Sequence, residues 1–437
     1  MNIVERIHSA GVVGCGGAGF PSQIKAASQA EIVVANGAEC EPLLHKDLEL
    51  MRREPESVVS GMKLLMSATG AQRGIVGVKK KYEERLEGLK RALNGTNIML
   101  HLLGDYYPTG DEYVLVYETT RRLIPPQGIP LDVGVVVNNV ETLRNIHLAV
   151  QNQPFITKYI SVAGAVLHPS TFEVPVGISF ADVIKAAGGA TIPDYAVYVS
   201  GIMMGTLEHD VTLPITKTCA GLIILPLNHR LVQRISLPLE VMLRIGKSAC
   251  DQCSYCTEFC PRYLLGYDVQ PHKVMRSLSF TATGEDIWNQ WAQLCCACGL
   301  CTLYACPEDL YPKEACDKAK IDLRTKGIKW SGDRGVHIHP IYHDRHIPLK
   351  KLINKLGIDE YDVPAHFVEK HFSPDQVRLP LVQHLGKPAT AIVSVGQHVK
   401  SGEMVAEIPE GNLGARIHAS IDGKVKKIES EIVIQRA

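Results

Sequence analysis

Hydrophobic residues in the first 150 positions alternate between two patterns. The first ten residues carry apolar positions at helical spacing, and a second helix is predicted to begin near Pro21. Short β-branched runs lie between such segments, as in "VVAN" (33–36) and "VGVVVNN" (133–139). This alternation predicts an open α/β sheet, and both of these strands end in polar residues.

The pattern changes after residue 155. Residues 158–189 are predicted to form two strands and a helix that stops at a Gly-Gly pair, and the region that contains most cysteines has a helical pattern. The last sixty residues form short alternating strands with glycine turns. We therefore predict domains at 1–155, 156–240, 241–320 and 375–437, with a helical or irregular connector at 321–374.

Composition narrows the class of protein. The chain has 437 residues, of which 46% are hydrophobic and 21% charged, as in ordinary globular proteins. Its 46 basic and 46 acidic residues balance, so no basic surface for nucleic acid is expected. No apolar run approaches the ~20 residues of a membrane span, and the first residues lack the pattern of a secretory signal. We expect a soluble, cytoplasmic protein.

Thirteen cysteines are unusual for such a chain, because a reducing cytosol disfavours structural disulfides. Eight of them lie in the runs "CDQCSYCTEFCP" and "CCACGLCTLYACP". The first run has the C-x2-C-x2-C-x3-C-P spacing of two-cluster ferredoxins, and the second has one extra residue before its last cysteine. Zinc ribbons and disulfides are the alternatives, but two runs that each end in Cys-Pro favour two [4Fe–4S] clusters.

In that ferredoxin pattern the fourth cysteine binds the other cluster. We therefore assign one cluster to Cys250, Cys253, Cys256 and Cys306, and the other to Cys260, Cys295, Cys298 and Cys301. The remaining cysteines are expected to be buried or incidental thiols: Cys15, Cys40, Cys219, Cys296 and Cys316.

A glycine-rich stretch, "GVVGCGGAGFPSQIK", occupies residues 11–25. It contains the dinucleotide-binding pattern G-x-G-x-x-G, but the strand that should precede this pattern is missing. A glycine turn between two helices is the alternative. In either case, glycines allow backbone N–H groups to approach a phosphate or a flat ring, and Lys25 adds positive charge.

Three further stretches place polar residues at strand ends or in turns, where open α/β sheets bind ligands. Each alone is explained by a solvated turn or a helix cap, but together with the glycine-rich stretch they predict one ligand-binding edge. Their polar and turn residues are Asn36, Glu39 and Glu41; Tyr107, Gly110, Asp111 and Glu112; and Asn138, Asn139, Glu141 and Thr142.

The segments "GCGGAGFP", "NGAECEP", "YPTGDE" and "VVNNVET", in this order, resemble the motifs of the flavin- and NADH-binding subunit of respiratory complex I and of its relative RnfC. The resemblance implies an α/β domain, distinct from a standard Rossmann domain, that holds FMN with its ring exposed to NADH. The implied FMN residues are Gly14, Gly16, Gly17, Gly19, Lys25, Asn36, Glu39, Tyr107, Gly110, Asp111, Asn138, Asn139 and Thr142. Phe20, Glu41 and Glu112 would contact NADH. Cys15 replaces an arginine of the complex I form, which removes a positive charge near the diphosphate.

The later segments extend the resemblance. Residues 158–189 resemble the SLBB domain, a β-grasp unit, and the last sixty resemble a barrel-sandwich hybrid. The hairpin "EIPEGNLGARI" has no lysine for a swinging-arm cofactor, so a docking or structural role is expected for that barrel. The resulting fold class is multidomain α/β, with a flavin domain, an SLBB domain, a helical ferredoxin-like domain with two [4Fe–4S] clusters and a C-terminal barrel.

The order of these domains is similar to that of PduS-type cobalamin reductases, in which the barrel follows the clusters. The resemblance implies an oxidoreductase that passes electrons from NADH through FMN and two [4Fe–4S] clusters to a corrinoid. Two alternatives stay open: an RnfC-like subunit whose acceptor is ferredoxin or another protein, and a non-catalytic relay or scaffold.

The same resemblance implies partners and a location. The expected partners are NADH, cobalamin or a corrinoid-handling protein, shell or enzyme components of a bacterial microcompartment, and other copies of the chain. "DRHIPL" lacks the glycine of the cobalamin-binding signature Asp-x-His-x-x-Gly. Asp344 and His346 are therefore expected to be a polar pair on the surface.

Overall fold

The computed structural model describes residues 1–278, 287–332 and 335–436. Its N-terminal domain is built on a four-stranded parallel sheet in the order β3-β2-β1-β5. The strands of this domain are β1 (Ile32–Gly37), β2 (Arg73–Lys79), β3 (Ile98–Leu103), β4 (Tyr106–Tyr107) and β5 (Val135–Asn139). Its helices are α1 (Ile3–Ser9), α2 (Ser22–Ala26), α3 (Lys46–Arg53), α4 (Pro55–Thr69), α5 (Glu87–Leu93), α6 (Glu112–Thr120) and α7 (Val140–Val150).

Both faces of this sheet are buried, which explains the uninterrupted valine runs. On one face Val33 and Val136 pack with side chains of α4 and α7, and on the other Val34 and Val137 pack with side chains of α6. The glycine-rich stretch follows helix α1, and no β-strand precedes it. The domain therefore lacks the strand-turn-helix unit of a Rossmann site, as the sequence predicts.

The second domain contains a five-stranded sheet in the order β7-β6-β10-β8-β9, in which β6 and β10 are parallel. Its elements are β6 (Thr157–Gly164), β7 (Ser170–Pro175), α8 (Phe180–Ala186), β8 (Tyr195–Val199), β9 (Thr206–Glu208), β10 (Gly221–Pro226) and α9 (Arg230–Ile235). Helix α8 buries Val183 and Ile184 against the sheet, which gives the β-grasp arrangement predicted for this segment.

The cysteine-rich region is helical. Its elements are α10 (Leu239–Ala249), α11 (Tyr255–Glu258), α12 (Pro261–Leu264), α13 (Pro271–Ser277), α14 (Ile287–Gln290), a π-helical turn (Cys301–Ala305) and α15 (Pro312–Thr325). Helix α15 continues across residue 320, and the connector then contributes β11 (Ile347–Pro348) and α16 (Leu349–Leu356). The predicted ranges 241–320 and 321–374 include residues 279–286 and 333–334, which lie outside the described residues. The domain boundaries stay a prediction.

The C-terminal domain has two small sheets, β12-β18-β17-β14 and β13-β15-β16, which enclose one apolar core. The strands are β12 (Gln376–Pro380), β13 (Thr390–Ala391), β14 (His398–Val399), β15 (Met404–Glu407), β16 (Ile417–His418), β17 (Gly423–Ile428) and β18 (Glu431–Gln435). Val176 of the β-grasp domain packs into this core, so the two domains share a buried boundary. In the part of the chain that the structure describes, no helix is long and apolar enough to span a bilayer.

Candidate functional site

The glycine-rich loop between α1 and α2 lies at the carboxyl edge of the parallel sheet. The backbone N–H of Cys15 donates to Oγ1 of Thr142 at 2.9 Å, which joins the loop to the start of α7. Gly16 and Gly17 are exposed, and a Cβ on Gly17 would meet no described atom within 4 Å. Gly17 has φ +110°, a conformation that favours glycine. The backbone of Gly16 and Gly17 is thus accessible to a ligand at this edge of the sheet.

Lys25 joins this loop to two of the predicted strand-end segments. Its Nζ donates to the carbonyl oxygen of Val137 at 2.6 Å and lies 3.6 Å from a carboxylate oxygen of Glu112. The same Nζ is 5.8 Å from the ring centroid of Phe20. The structure therefore brings Lys25, Phe20 and Glu112 together at one edge, as the sequence motifs imply.

The segments 36–41 and 107–112 also meet. Asn36 donates through Nδ2 to the carbonyl oxygen of Gly110 at 2.9 Å, and its Oδ1 accepts from the N–H of Ala38 at 3.2 Å. A Cβ on Gly110 would lie only 3.1 Å from Sγ of Cys40, so a larger residue would push the two segments apart. Gly110 thus allows the two segments to pack closely, in addition to its predicted place beside FMN.

Asn138 and Asn139 differ in how their side chains are satisfied. Asn139 caps helix α7 through Oδ1, and its Nδ2 donates to Asp47 at 2.8 Å. Asn138 is only 4% exposed, and its Nδ2 has no hydrogen-bond partner among the described residues. A buried amide without a partner is costly, and a bound ligand can satisfy it. With the bare loop nearby, the residues at this edge fit a flavin.

Glu39 is directed at the start of helix α3. Its carboxylate accepts from the N–H groups of Asp47 at 2.8 Å and Leu48 at 3.1 Å. Burial, followed by the nearby charge of Asp47, raises the pKa of Glu39 to about 8. The structure thus gives Glu39 a capping role, and its predicted contact with FMN stays a prediction.

Behind this edge lies a buried ionic group that the sequence analysis missed. Glu141 is fully buried and accepts from Lys46 Nζ at 3.0 Å, from Lys158 Nζ, and from the N–H of Tyr159 at 2.9 Å. Burial alone would raise the pKa of Glu141, but the two lysines hold it below its ordinary value. The group joins the flavin domain to the β-grasp domain. Glu141 lies in the motif "VVNNVET", but no motif in the sequence marks Lys46 or Lys158 as its partners.

Three predicted ligand residues contact other domains instead. Glu41 accepts from the N–H groups of Met203 and Met204, at 3.1 and 3.0 Å, in the β-grasp domain. Tyr107 is 1% exposed and donates its hydroxyl to the carbonyl oxygen of Cys298 at 2.8 Å. Asp111 caps helix α6 and forms an ion pair with Arg262 at 2.9 Å. These contacts fix the flavin domain against its neighbours, and the predicted contacts with FMN and NADH stay a prediction.

Arg262 is a further residue that sequence reasoning missed. It directly follows the first Cys-Pro pair and is 7% exposed. Besides its ion pair with Asp111, its guanidinium carbon lies 3.4 Å from the ring centroid of Tyr113. This single side chain connects the flavin domain to the cysteine-rich region. Its position two residues after a predicted ligand cysteine was the available signal, since its partner Asp111 is 151 positions away.

The first predicted set of cysteines, here called the outer set, lines one small cavity. Its members are Cys250, Cys253, Cys256 and Cys306. The extra residue before Cys306 lies in the π-helical turn Cys301–Ala305, whose i→i+5 hydrogen bonds span one more residue than the i→i+4 bonds of an α-helix. This turn brings Cys306 to the three thiols of the first run, as the ligand assignment requires. Cys253 is exposed, so the outer set opens to solvent.

The second predicted set, here called the inner set, is enclosed. Its members are Cys260, Cys295, Cys298 and Cys301, whose thiols lie near enough to interact electrostatically. Three of the four are at most 8% exposed. Among the described residues, no three His, Cys, Asp or Glu side chains are grouped tightly enough for a single metal ion. The cysteines of a cubane cluster bind different iron atoms, so a wider spacing fits them.

Two thiols outside the predicted sets lie beside the inner set. Cys296 lies close enough to Cys298 and Arg262 to interact electrostatically with both, and Cys316 lies similarly close to Cys295. Cys316 is buried, as expected for an incidental thiol.

The expectation of a surface pair was wrong for His346 and right for Asp344. Asp344 is exposed, but the His346 ring stacks on Tyr106 with a centroid distance of 3.8 Å. His346 also lines a small cavity with Tyr107, Pro261 and Leu300. It is held there because β11 pairs with β4, which brings the connector against the flavin domain.

Comparison with protein families finds a match for each part of the chain. Residues 7–148 match the Nuo51 FMN-binding domain, and residues 159–207 match the SLBB domain. Residues 249–311 match a 4Fe-4S dicluster domain, and residues 363–437 match the RnfC barrel-sandwich hybrid domain. The multidomain α/β fold class and the cofactors FMN and [4Fe–4S] are thereby confirmed.

Similarity to whole proteins decides the family. The chain is 39% identical over 434 residues to the cobalamin reductase PduS of Citrobacter freundii, covering 99% of this chain and 96% of that protein. It is 40% identical to the PduS of Salmonella typhimurium, covering 99% and 95%. The chain belongs to the PduS family.

More distant relatives of this PduS-family chain share part of its length. The RnfC-type component of the Na+-translocating ferredoxin:NAD+ oxidoreductase complex of Acetobacterium woodii is 34% identical, covering 60% of this chain and 58% of that component. Among solved structures, an NAD+-reducing [NiFe]-hydrogenase in its H2-reduced state aligns with a TM-score of 0.50 and 22% identity, covering 77% of this chain and 68% of the other. This last likeness shows a shared fold. The resemblance to the RnfC and complex I flavoprotein families is confirmed.

Proposed function

We propose that this PduS-family chain is an NADH-dependent cobalamin reductase that passes electrons through FMN and two [4Fe–4S] clusters to a corrinoid. The observation that carries the proposal is the order of the sites. The inner cysteine set lies against the flavin domain through Tyr107 and Arg262, and the outer set opens to solvent. An enclosed site next to the flavin and an exposed site beyond it suit a route from NADH to an external acceptor.

The flavin edge supplies what FMN needs from the protein. Exposed glycine backbone and the Lys25 ammonium suit an anionic phosphate, and the unpaired Nδ2 of Asn138 is a donor for a polar edge of a bound ring. FMN held by these residues would supply the chemistry that accepts two electrons from a nicotinamide and passes single electrons to iron–sulfur clusters. The residues proposed to hold FMN are Gly14, Gly16, Gly17, Gly19, Lys25, Asn36, Glu39, Tyr107, Gly110, Asp111, Asn138, Asn139 and Thr142.

NADH is proposed to bind beside Phe20 and Glu112. Phe20 is partly exposed next to Lys25, and Glu112 is 41% exposed at the same edge. An exposed aromatic face can stack on the nicotinamide, and a carboxylate can accept from ribose hydroxyls. Glu41 belongs to the same proposed set, although both of its oxygens accept from backbone N–H groups.

The cysteine sets are proposed as the ligands of two [4Fe–4S] clusters. The inner ligands are Cys260, Cys295, Cys298 and Cys301, and the outer ligands are Cys250, Cys253, Cys256 and Cys306. Tyr107 donates to the backbone of the inner set and Arg262 places a buried positive charge beside it. Charge near a cluster adjusts its reduction potential, so Arg262 favours electron acceptance by the inner site, while Tyr107 holds the backbone of Cys298 in place.

The PduS relatives are named cobalamin reductases, which supports a corrinoid as acceptor. A microcompartment is proposed as the location, as the resemblance of the motifs and domain order implies. The relatives from ferredoxin:NAD+ oxidoreductase complexes favour a second candidate, in which the acceptor is a protein such as ferredoxin. Shell or enzyme components of the microcompartment and further copies of the chain are proposed as additional partners.

An anaerobic experiment separates these functions. The full chain is reconstituted with FMN, iron and sulfide, NADH is added, and cob(III)alamin or ferredoxin follows while visible spectra are recorded. We expect NADH to bleach the flavin and cluster absorbance, and cob(III)alamin to restore it as reduced-corrinoid bands grow. Transfer to ferredoxin alone would favour the second candidate. Absence of bleaching by NADH would contradict both.

A further inference from the structure

The C-terminal barrel lies directly behind the glycine-rich loop, although the two are at opposite ends of the chain. The N–H of Leu385 donates to the carbonyl oxygen of Gly19 at 3.0 Å. Gln23, on the helix that follows the loop, donates through Nε2 to the carbonyl oxygen of Gly414 at 2.9 Å. The barrel therefore forms hydrogen bonds with both ends of the segment 19–23.

The contact at Gly19 is close. A Cβ placed on Gly19 would lie 2.8 Å from Cγ2 of Thr218 and 3.1 Å from Cα of His384. The loop is thus enclosed on this side by the β-grasp domain and the barrel together. On the other side, Gly16 and Gly17 are exposed.

Lys217 joins the three domains at this point. It is 2% exposed, and its Nζ donates to the carbonyl oxygens of Gly11 and Arg416, both at 2.8 Å. Its backbone N–H donates to Oε1 of Gln383 at 3.0 Å. One buried side chain thereby links the first residue of the glycine-rich stretch to the barrel.

Apolar packing supports the same boundary. Val13, Cys15, Phe155 and Ala415 form a small cluster, and each is at most 4% exposed. Cys15 is also the residue whose N–H bonds to Thr142 at the flavin edge. Ala415 of the barrel therefore packs on the residue that precedes the exposed glycines.

A loop with so many glycines has high conformational entropy when unsupported. We propose that the C-terminal barrel positions the glycine-rich loop for FMN, with Lys217 as the positioning residue that holds the two together. This inference rests on the proposed flavin site. The barrel resembles carrier domains but has no hairpin lysine to carry a swinging-arm cofactor. The inference gives it a different role, which is to support the cofactor site of another domain.

The test compares FMN affinity in the full chain with Lys217→Met, Gln23→Met and, as a matched control, Lys427→Ala. Lys427 lies on the barrel surface, where it pairs with Glu429. FMN is titrated into flavin-free protein, and its dissociation constant is obtained from the quenching of flavin fluorescence. Loss of a buried hydrogen-bond partner is expected to weaken FMN binding about tenfold in Lys217→Met and less in Gln23→Met, whereas Lys427→Ala keeps the wild-type value.

Two further measurements distinguish positioning from general destabilisation. Iron content is expected to stay at the wild-type level, and amide hydrogen exchange is expected to increase in residues 11–20 of Lys217→Met. Saturating FMN should then restore NADH oxidation. Folded variants with wild-type FMN affinity and wild-type exchange in residues 11–20 would overturn the inference. If Lys217→Met does not fold, the same two measurements on Gln23→Met decide between the outcomes. Failure of the wild-type chain to bind FMN would instead contradict the proposed function.

Discussion

The inner and outer cysteine sets share one ligand pattern but occupy different surroundings. Cys298 of the inner set packs with Tyr107, Met203 and Leu300 in an apolar cluster, whereas the outer set includes the exposed Cys253. Solvent exposure and local charge change the reduction potential of a cluster. The comparison teaches that two similar cysteine motifs differ in exposure because Tyr107 of the flavin domain and Met203 of the β-grasp domain pack beside Cys298 of the inner set, while Cys253 of the outer set stays exposed.

The largest expected effect is at the inner set. Cys301→Ser should remove about half of the iron, because one of two clusters loses a ligand. Reduction of cob(III)alamin should fall to the background rate, while NADH still bleaches the flavin. The buried hydroxyl should also lower the free energy of unfolding by about 1–3 kcal/mol.

Iron analysis, visible spectra and thermal unfolding check this outcome. Cys219→Ala is the matched control, because Cys219 is a buried thiol in the β-grasp core. Wild-type cobalamin reduction in Cys301→Ser would mean that electrons bypass the inner site.

At the outer set, Cys253→Ser should also abolish cobalamin reduction, but with little change in thermal stability because Cys253 is exposed. NADH should still reduce the flavin and the inner cluster, which electron paramagnetic resonance can detect. Retained cobalamin reduction in this variant, together with its loss in Cys301→Ser, would place the exit at the inner set and reverse the comparison.

The link between the flavin domain and the inner set is tested at Arg262. Arg262→Met leaves the carboxylate of Asp111 buried without its partner, and such a loss costs about 3–5 kcal/mol. Removal of the positive charge should also shift the potential of the inner cluster to lower values. Thermal unfolding and a redox titration measure both effects.

Arg262→Lys is the control for that link, because it keeps the charge but loses the forked geometry. We expect it to retain most of the cluster potential and to lose part of the stability. An unchanged potential in Arg262→Met would show that this charge does not tune the inner site.

The smallest expected effect concerns pH, at the cavity beside the inner set. Burial, with His343 contributing, lowers the pKa of His346 from its ordinary value of 6.5 to about 4, although Glu118 opposes the shift. The folded state therefore keeps the neutral ring, and this contribution to stability is full above pH 6.5 and is lost as pH falls towards 4. The melting temperature should fall across this window, and His346→Gln should reduce that dependence. An identical pH profile in both proteins would assign the acid sensitivity to other groups.

The spacing of residues along the sequence was sufficient to predict the features that depend on a few neighbouring positions. The β-branched runs predicted strands of an open α/β sheet, the lack of a strand before the glycine-rich stretch argued against a Rossmann unit, and the two Cys-Pro runs predicted clusters, all in agreement with the structure and the family matches. These signals are visible because side-chain periodicity and ligand spacing depend on neighbours within a few positions.

Only the tertiary structure decided which partners these residues meet. Asp111 pairs with Arg262, Glu41 meets the amides of the β-grasp domain, and Lys217 joins Gly11 to the barrel. The π-helical turn that accommodates the extra residue before Cys306 was likewise invisible in the spacing. The sequence by itself thus determined most of the elements and the cofactor types and predicted their ligands. Domain packing decided how these parts connect, because contacts between residues more than a hundred positions apart leave no periodic pattern in the chain.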